Sequence, residues 1–587
     1  MTDITEFAKV IGVAPGEIQV EISSTEKYQQ LDRALLIGSY LQISDDADSA
    51  LVAVVRSYQI RDSLGKDDGT DITVPRFVLT LEPVGRLEGG SFKRGGKQIT
   101  IPPKKVEIAS DGLLDGIYAA GDQASALSFS TLAQHGTVRV NLDGDRFFGK
   151  HIGVVGATGS GKSSTVAAML QEGIRQSEAQ AKGATLNNAH IIIFDLHGEY
   201  TSAFPHAVSI GANELRLPYW LMNAEELEEL FIESNEHNSH NQVSQFRAAV
   251  IANKRRNNAA IPADEVTYDS PVYFSLEEVT NYLRNLNSEV IGKLAGEDCP
   301  KLADGTLVQV REDHYFDQQL EFTPANQSAA TKASNGAFFG EFNRFLLRLE
   351  SRQADRRLDF LLAPKKPGGG EYITGDLDEI VENLIGYSDT KANVTILDLS
   401  GVPFEMLSIV VSLATRLVFT FSFHFKKAHK DDGLEMPFLL VYEEAHNYVP
   451  RSEGARYNSV KRSIERVAKE GRKYGISIMV VSQRPSEVSE TVFSQCNNFV
   501  AMRLTNPTDQ QYVKRLLPDS LAAITESLAS LEQREAILLG DAIALPSVVR
   551  IDAIEHLPTS HDVNFMREWR EDWLASAMDG IIERWRK

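Results

Sequence analysis

In this chain of 587 residues, the residue types and spacing best suited to chemistry occur at GATGSGKS, Gly156 to Ser163. The segment is a full GxxxxGK[ST] match between an apolar run that reads as a strand, Ile152 to Val155, and a helical pattern from about Lys162 to Arg175. That is the context in which the motif binds phosphate. Gly156, Gly159 and Gly161 let the backbone bend so that successive N–H groups and the helix N-terminus face an anion. Lys162 then reaches the β- and γ-phosphates, and the Ser163 hydroxyl ligates Mg²⁺. The phosphate-binding candidates are Gly156, Thr158, Gly159, Ser160, Gly161, Lys162, Ser163 and Ser164. The chemistry they imply is binding and hydrolysis of a nucleoside triphosphate, ATP, with Mg²⁺.

Such a loop needs a carboxylate at a neighbouring strand end to hold the metal and a base to orient the attacking water. FLLVYEEAH supplies Glu443 for the first role and Glu444 for the second. Asp195 and Glu199, in IIIFDLHGEY, follow the next apolar strand and are candidates for the γ-phosphate side. His197 reads as a loop hydrogen-bonding residue, since no second histidine stands at ligand spacing. In VVSQRP, Gln483 is placed to hydrogen-bond the γ-phosphate or its water.

Between these strands the pattern predicts a helix from about Asn458 to Tyr474, with Val460, Ile464, Val467 and Gly471 on one face. Arg462, Arg466, Lys469 and Lys473 recur on another. A basic stripe beside a nucleotide site could serve the neighbouring subunit as an arginine finger, with Arg466 and Arg472 the favoured residues. The plainer alternative is a solvated face paired with Glu465 and Glu470.

The elements that position these groups follow an α/β order. After Ile191 to Phe194, apolar strands recur at Val394 to Leu399, Phe438 to Val441, Ser477 to Val481 and Phe499 to Met502, each ending near polar residues. Those ends form the rim where ligands of open α/β sheets bind. Upstream, from about Ile11 to Val106, short β-rich runs predict a small barrel or sandwich, with a basic loop, Gly89 to Lys97, near its end. Trp220 to Leu362 turns polar and helical, as an inserted subdomain would. The C-terminal stretch with Trp569, Trp573 and Trp585 looks amphipathic, suited to packing on the body or on a neighbouring subunit. The resulting division is 1–137 barrel, 138–219 and 366–555 core, 220–365 insert and 556–587 tail.

Composition narrows the function classes. With 42% hydrophobic and 24% charged residues the chain is globular, and its length calls for more than one core. A net charge of −21 excludes a surface that binds nucleic acid all over, so such contact must be confined to a pore or groove. Two cysteines, Cys299 and Cys496, support neither a disulfide framework nor a zinc site. No stretch reads as a membrane span and no secretory leader is evident, which predicts a cytoplasmic protein.

Taken in order, HIGVVGATGSGKSS, IIIFDLHGEY, LLVYEEAHNYVP, EGRKYGISIMVVSQRPSEVSETVFSQCNNFVAMRLTNP and GDAIALPSVVRI resemble the HerA family of DNA translocases, within the FtsK and HerA group of P-loop ATPases. The resemblance implies a HAS-type barrel, a RecA-like α/β core and a four-helix insert. It also implies a homohexameric ring with nucleotide at subunit interfaces and double-stranded DNA in the channel. Lys162 and Ser163 would carry phosphate and metal contacts, Glu444 would be the catalytic glutamate and Gln483 the sensor, with Glu443 standing where the family usually has aspartate. Implied partners are a nuclease of the NurA kind or, in antiphage complexes, a sirtuin-like or nuclease effector. The rival reading is a ring that scaffolds such an effector without processive translocation.

Overall fold

The computed structural model describes the chain apart from residues 1–3, 15, 25–26, 29–30, 32–34, 47–48, 68–69, 89–90, 96–104, 120–121, 123, 176–185, 233–238, 329, 331, 452–458, 517–524, 560–562, 574–577 and 587. Seven N-terminal strands form an antiparallel sheet: β1 (Ala8–Ala14), β2 (Glu17–Ile22), β3 (Tyr40–Asp46), β4 (Ser49–Asp67), β5 (Thr70–Glu88), β6 (Ser91–Arg94) and β7 (Lys105–Ile108). The order is β1-β2-β5-β4-β3-β7, with β6 paired to β5. Alternation on β2 sends Ile18, Val20 and Ile22 inward. They meet Leu41, Leu79 and Val106 in one cluster, which curls the sheet into a small barrel. Of the basic loop expected at Gly89 to Lys97, Ser91–Arg94 is strand β6, and residues 89–90 and 96–97 lie outside the described residues.

The core is an eleven-stranded sheet made of β8 (Ala126–Leu132), β9 (Arg139–Asp143), β10 (His151–Val155), β11 (His190–Asp195), β12 (Val208–Ile210), β15 (Val394–Asp398), β16 (Phe438–Tyr442), β17 (Ile476–Ser482), β18 (Cys496–Met502), β19 (Glu535–Gly540) and β20 (Ser547–Ile551). Its order is β12-β15-β11-β16-β17-β10-β18-β19-β20-β8-β9. From β12 to β18 every pair is parallel, and the remaining pairs are antiparallel. The parallel strands β10, β11, β16 and β17 are buried along their whole length, because helices cover both faces. Strands of this sheet begin at Ala126, upstream of the start expected at 138.

One covering helix, Phe404–Ala428, is long and apolar enough to cross a membrane, which the sequence reading did not anticipate. Most of it is buried in the core cluster shared with Phe194, Tyr442 and Ile464, and that burial accounts for its composition. The insert holds the helices Ala224–Phe231, Ser239–Asn257, Leu276–Ser288 and Asn343–Ala354, with a short hairpin of β13 (Val290–Gly292) and β14 (Ala333–Asn335) before the last. Asn223 starts the first helix with a full capping box to Glu226. Trp569, Trp573 and Trp585 are 74%, 96% and 82% exposed, so these three rings do not pack on the body, whereas His556, Leu557 and Thr559 hydrogen-bond to it.

Candidate active site

Strand β10 lies between β17 and β18, and its C-terminal end opens into the phosphate loop. Gly161 takes a φ of +92° and Gly159 one of +73°, a region closed to most side chains. A Cβ on Gly156 would stand 2.9 Å from the Cβ of Met502 and closer still to the Ser160 hydroxyl, so only glycine lets the loop fold down on the strand. The helix that follows, Lys162–Gly173, has no side-chain cap and starts at the loop. The Ser160 hydroxyl is buried without a partner. Uncapped N–H groups, an unpartnered hydroxyl and the Lys162 ammonium form a cradle that fits the phosphates of ATP.

Three further strand ends converge on this loop. Glu444, two residues past the end of β16, takes the left-handed region, φ +47°, and is buried. Its carboxylate lies 3.4 Å from Lys162 Nζ and accepts hydrogen bonds from the Gln483 side-chain amide and backbone N–H. Gln483 in turn accepts the Thr158 hydroxyl, closing a chain from the loop through β17 to β16. His446 Nδ1 stands 3.3 Å from both Glu444 and the Ser482 hydroxyl, and burial holds its pKa below the usual histidine range. A strained backbone at a buried carboxylate beside a phosphate cradle marks Glu444 as the group on which the geometry is spent. The arrangement can position a water against the terminal phosphate and take its proton.

The remaining acidic candidates are sorted differently from the expectation. Ser163 Oγ donates to Glu199 at 2.9 Å, so Glu199 is the carboxylate beside the hydroxyl expected to ligate the metal. Glu443, expected to hold the metal, is buried and accepts the Tyr200 hydroxyl at 2.9 Å. Burial, offset by nearby Lys162, pushes its carboxyl up to about 8, so it is a neutral acid over most of the physiological range. Asp195, expected near the nucleotide, is fully buried and accepts the N–H groups of His197, Gly198 and Tyr200 at 3.3, 2.9 and 2.8 Å. It caps the loop that presents Glu199. Among the described residues no cluster of three His, Cys, Asp or Glu could hold an ion by itself. The donors that fit Mg²⁺ are Ser163 and Glu199, together with phosphate oxygens.

Arg466 and Arg472 are not brought to the loop of their own chain. The expected helix is Ser459–Glu470 followed by a 3₁₀ turn, Gly471–Tyr474, and position 458 lies outside the described residues. Arg466 is exposed, with its guanidinium 5.0 Å from the Phe419 ring centre and its Nε 3.6 Å from Glu470. Arg472 is exposed just before β17 begins, whereas Gln483 follows its end, a separation of roughly 20 Å along the strand. Buried His151 anchors this turn to the base of β10: its Nδ1 accepts the Ile478 N–H and its Nε2 donates to Ala468 O. Sequence reasoning missed Tyr200 and His446, although both sit within motifs it named. It also missed Arg503 and Arg534, whose backbones bond to the phosphate loop.

Residues 127–418 match the family model described as the central domain of helicase HerA. Over 552 residues the chain is 24% identical to a probable DNA double-strand break repair helicase HerA of Methanocaldococcus jannaschii, covering 89% of this chain and 94% of the relative. The chain belongs to the HerA family of P-loop ATPases. A second HerA relative, the DNA double-strand break repair helicase of Sulfolobus acidocaldarius, is 24% identical over 94% of this chain and 96% of its own. Among solved structures, VirB4 of Thermoanaerobacter pseudethanolicus aligns at 13% identity with a TM-score of 0.45, over 74% of this chain and 98% of that one. As a HerA-family ATPase, the chain uses ATP and Mg²⁺.

Proposed function

We propose that this HerA-family chain is an ATP-driven motor that assembles as a homohexameric ring, moves double-stranded DNA through its channel and works beside a nuclease or similar effector enzyme. The observation that carries the reading is the chain Lys162, Glu444, Gln483 and Thr158. It joins phosphate cradle, general base and sensing amide across three adjacent strands. The named relatives, DNA double-strand break repair helicases, support DNA as the substrate. The acidic surface is compatible with such a motor, because only the channel needs positive charge.

The work divides among side chains as follows. Lys162 and the helix N-terminus neutralise the β- and γ-phosphates. Ser163 and Glu199 would hold Mg²⁺, which supplies charge neutralisation on those same oxygens. Glu444 takes the proton of the attacking water, and the Gln483 amide, bonded to that carboxylate, senses the terminal phosphate. Entry of nucleotide draws Lys162 from Glu444 to the phosphates, which frees the carboxylate for the water. Among the described residues no arginine is ion-paired with Glu444, and a guanidinium from the exposed Arg466 to Arg472 face would complete the site of a neighbour. Steady-state ATP hydrolysis with and without linear duplex DNA tests the reading: the duplex should raise the rate severalfold, and a rate indifferent to duplex would oppose it. Micrographs should show a six-fold ring with central density on adding duplex.

A further inference from the structure

Two arginines flank the phosphate loop on the side away from Glu444. Arg503 directly follows β18, and its carbonyl accepts the Ala157 N–H at 2.8 Å. Arg534 lies in the turn before β19, and its N–H donates to Ser160 O at 3.1 Å. Both main chains are therefore stapled to the loop, one at each end of its turn. The side chain of Arg534 lies alongside: a Cβ built on Gly161 would stand 3.5 Å from Arg534 Cγ.

Neither guanidinium has an acidic partner among the described residues, although the chain carries 81 Asp and Glu against 60 Lys and Arg. Arg503 Nε is buried with no hydrogen-bond partner among the described residues. Arg534 donates one guanidinium N–H to Ile551 O at 2.9 Å, and among the described residues its fork makes no other hydrogen bond. Arg534 also takes a φ of +68°; Glu444 is the other non-glycine residue with positive φ among the described residues. A bulky residue held in the left-handed region costs stability, and such strain persists where the surroundings impose it at a working site.

The sheet order gives these two groups a place along the nucleotide. In β16-β17-β10-β18-β19, the catalytic pair Glu444 and Gln483 lies on the β16 and β17 side of the loop. Arg503 and Arg534 lie on the β18 and β19 side. A triphosphate whose γ end meets Glu444 and whose β-phosphate sits in the cradle carries its α-phosphate and nucleoside on toward β18 and β19. We infer that Arg503 and Arg534 grip the α-phosphate and nucleoside end of the nucleotide in cis, setting affinity for diphosphate and triphosphate alike. This rests on the ATPase reading above.

The test is calorimetric titration of the full-length protein with Mg²⁺–ADP and with Mg²⁺–ATPγS, for wild type, Arg503→Gln and Arg534→Gly, beside melting temperatures without nucleotide. Loss of a charged contact should weaken both ligands by about tenfold or more and by the same factor. Arg534→Gly should melt no lower than wild type, because glycine relieves the positive φ. Arg503→Lys and Arg534→Lys should recover part of the affinity, which a merely structural role would not allow. The inference is overturned if both variants bind like wild type, if the loss falls on ATPγS alone, or if lysine recovers nothing and melting drops. Failure of wild type to bind either nucleotide would instead sink the ATPase reading, and this inference with it.

Discussion

Lys162 Nζ lies 3.4 Å from the Glu444 carboxylate, and both side chains are buried. Before nucleotide arrives, the cradle's cation and the base neutralise one another. The contact is a buried ion pair, and the proposed catalytic role of Glu444 is separable from it by mutation.

Removing one partner of a buried pair leaves the other charge uncompensated. Lys162→Ala should lower hydrolysis by well over tenfold and destabilise the protein by about 3–5 kcal/mol. Adding Glu444→Gln to Lys162→Ala should return most of that stability and none of the activity. Thermal melts of the four proteins in a double-mutant cycle measure the coupling. Simple additivity would mean that the 3.4 Å contact carries no free energy.

Glu444→Gln alone should keep nucleotide binding while hydrolysis falls by about 10²-fold or more. Glu199→Gln should mainly raise the Mg²⁺ concentration needed for half-maximal rate, since Glu199 partners the Ser163 hydroxyl. An active Glu444→Gln beside a dead Glu199→Gln would reverse the assignment.

Glu443 makes a pH prediction with a definite sign. Its carboxyl rises from the ordinary 4.5 to about 8, chiefly through burial. Between those values the folded chain holds a proton that the unfolded chain releases, so this group's contribution is complete below about pH 4.5 and lost as pH climbs through about 8. Glu443→Gln, which keeps a neutral side chain that can accept the Tyr200 hydroxyl, should remove that part of the decline. Melting temperatures of both proteins from pH 5 to pH 9 should diverge at the alkaline end, with the variant higher. Parallel curves would mean Glu443 is ionised in the fold.

The contrast between motif and partner explains what could be read from sequence. The loop Gly156 to Ser163, Glu444 and Gln483 were legible because each sits at the end of an apolar strand, where the ligand rim must be. Strand β8 was not, because it pairs with β20 over 400 residues away and carries no motif. A separation of 243 residues likewise hides the Tyr200 and Glu443 contact, so two adjacent glutamates could not be told apart in burial. Asp195 looked like a ligand because a strand-end aspartate usually is one; here three backbone N–H groups claim it. Arg503 follows a strand that was recognised and could have been named by the rim rule. Nothing in LEQRE announced Arg534, since its place beside the loop depends on β19 returning antiparallel to β18.

Mixed rings test the trans arginine. An Arg472→Ala or Arg466→Ala chain mixed with a Glu444→Gln chain should regain some hydrolysis, because one class of mixed interface gathers both defects and leaves the other intact. A guanidinium in trans contributes about 10³ to 10⁵ in rate, so even a few intact interfaces are measurable. Mixtures that form rings and stay inactive would return the stripe to a solvated helix face.

Movement of the chain along duplex DNA, driven by ATP hydrolysis at Glu444, can be read from displacement of a third strand from a triplex by the wild-type protein. With ATP and Mg²⁺ the account requires displacement that rises with time, needs a duplex tail and vanishes in Glu444→Gln. Sustained, duplex-stimulated hydrolysis by wild type with the third strand left in place would contradict it.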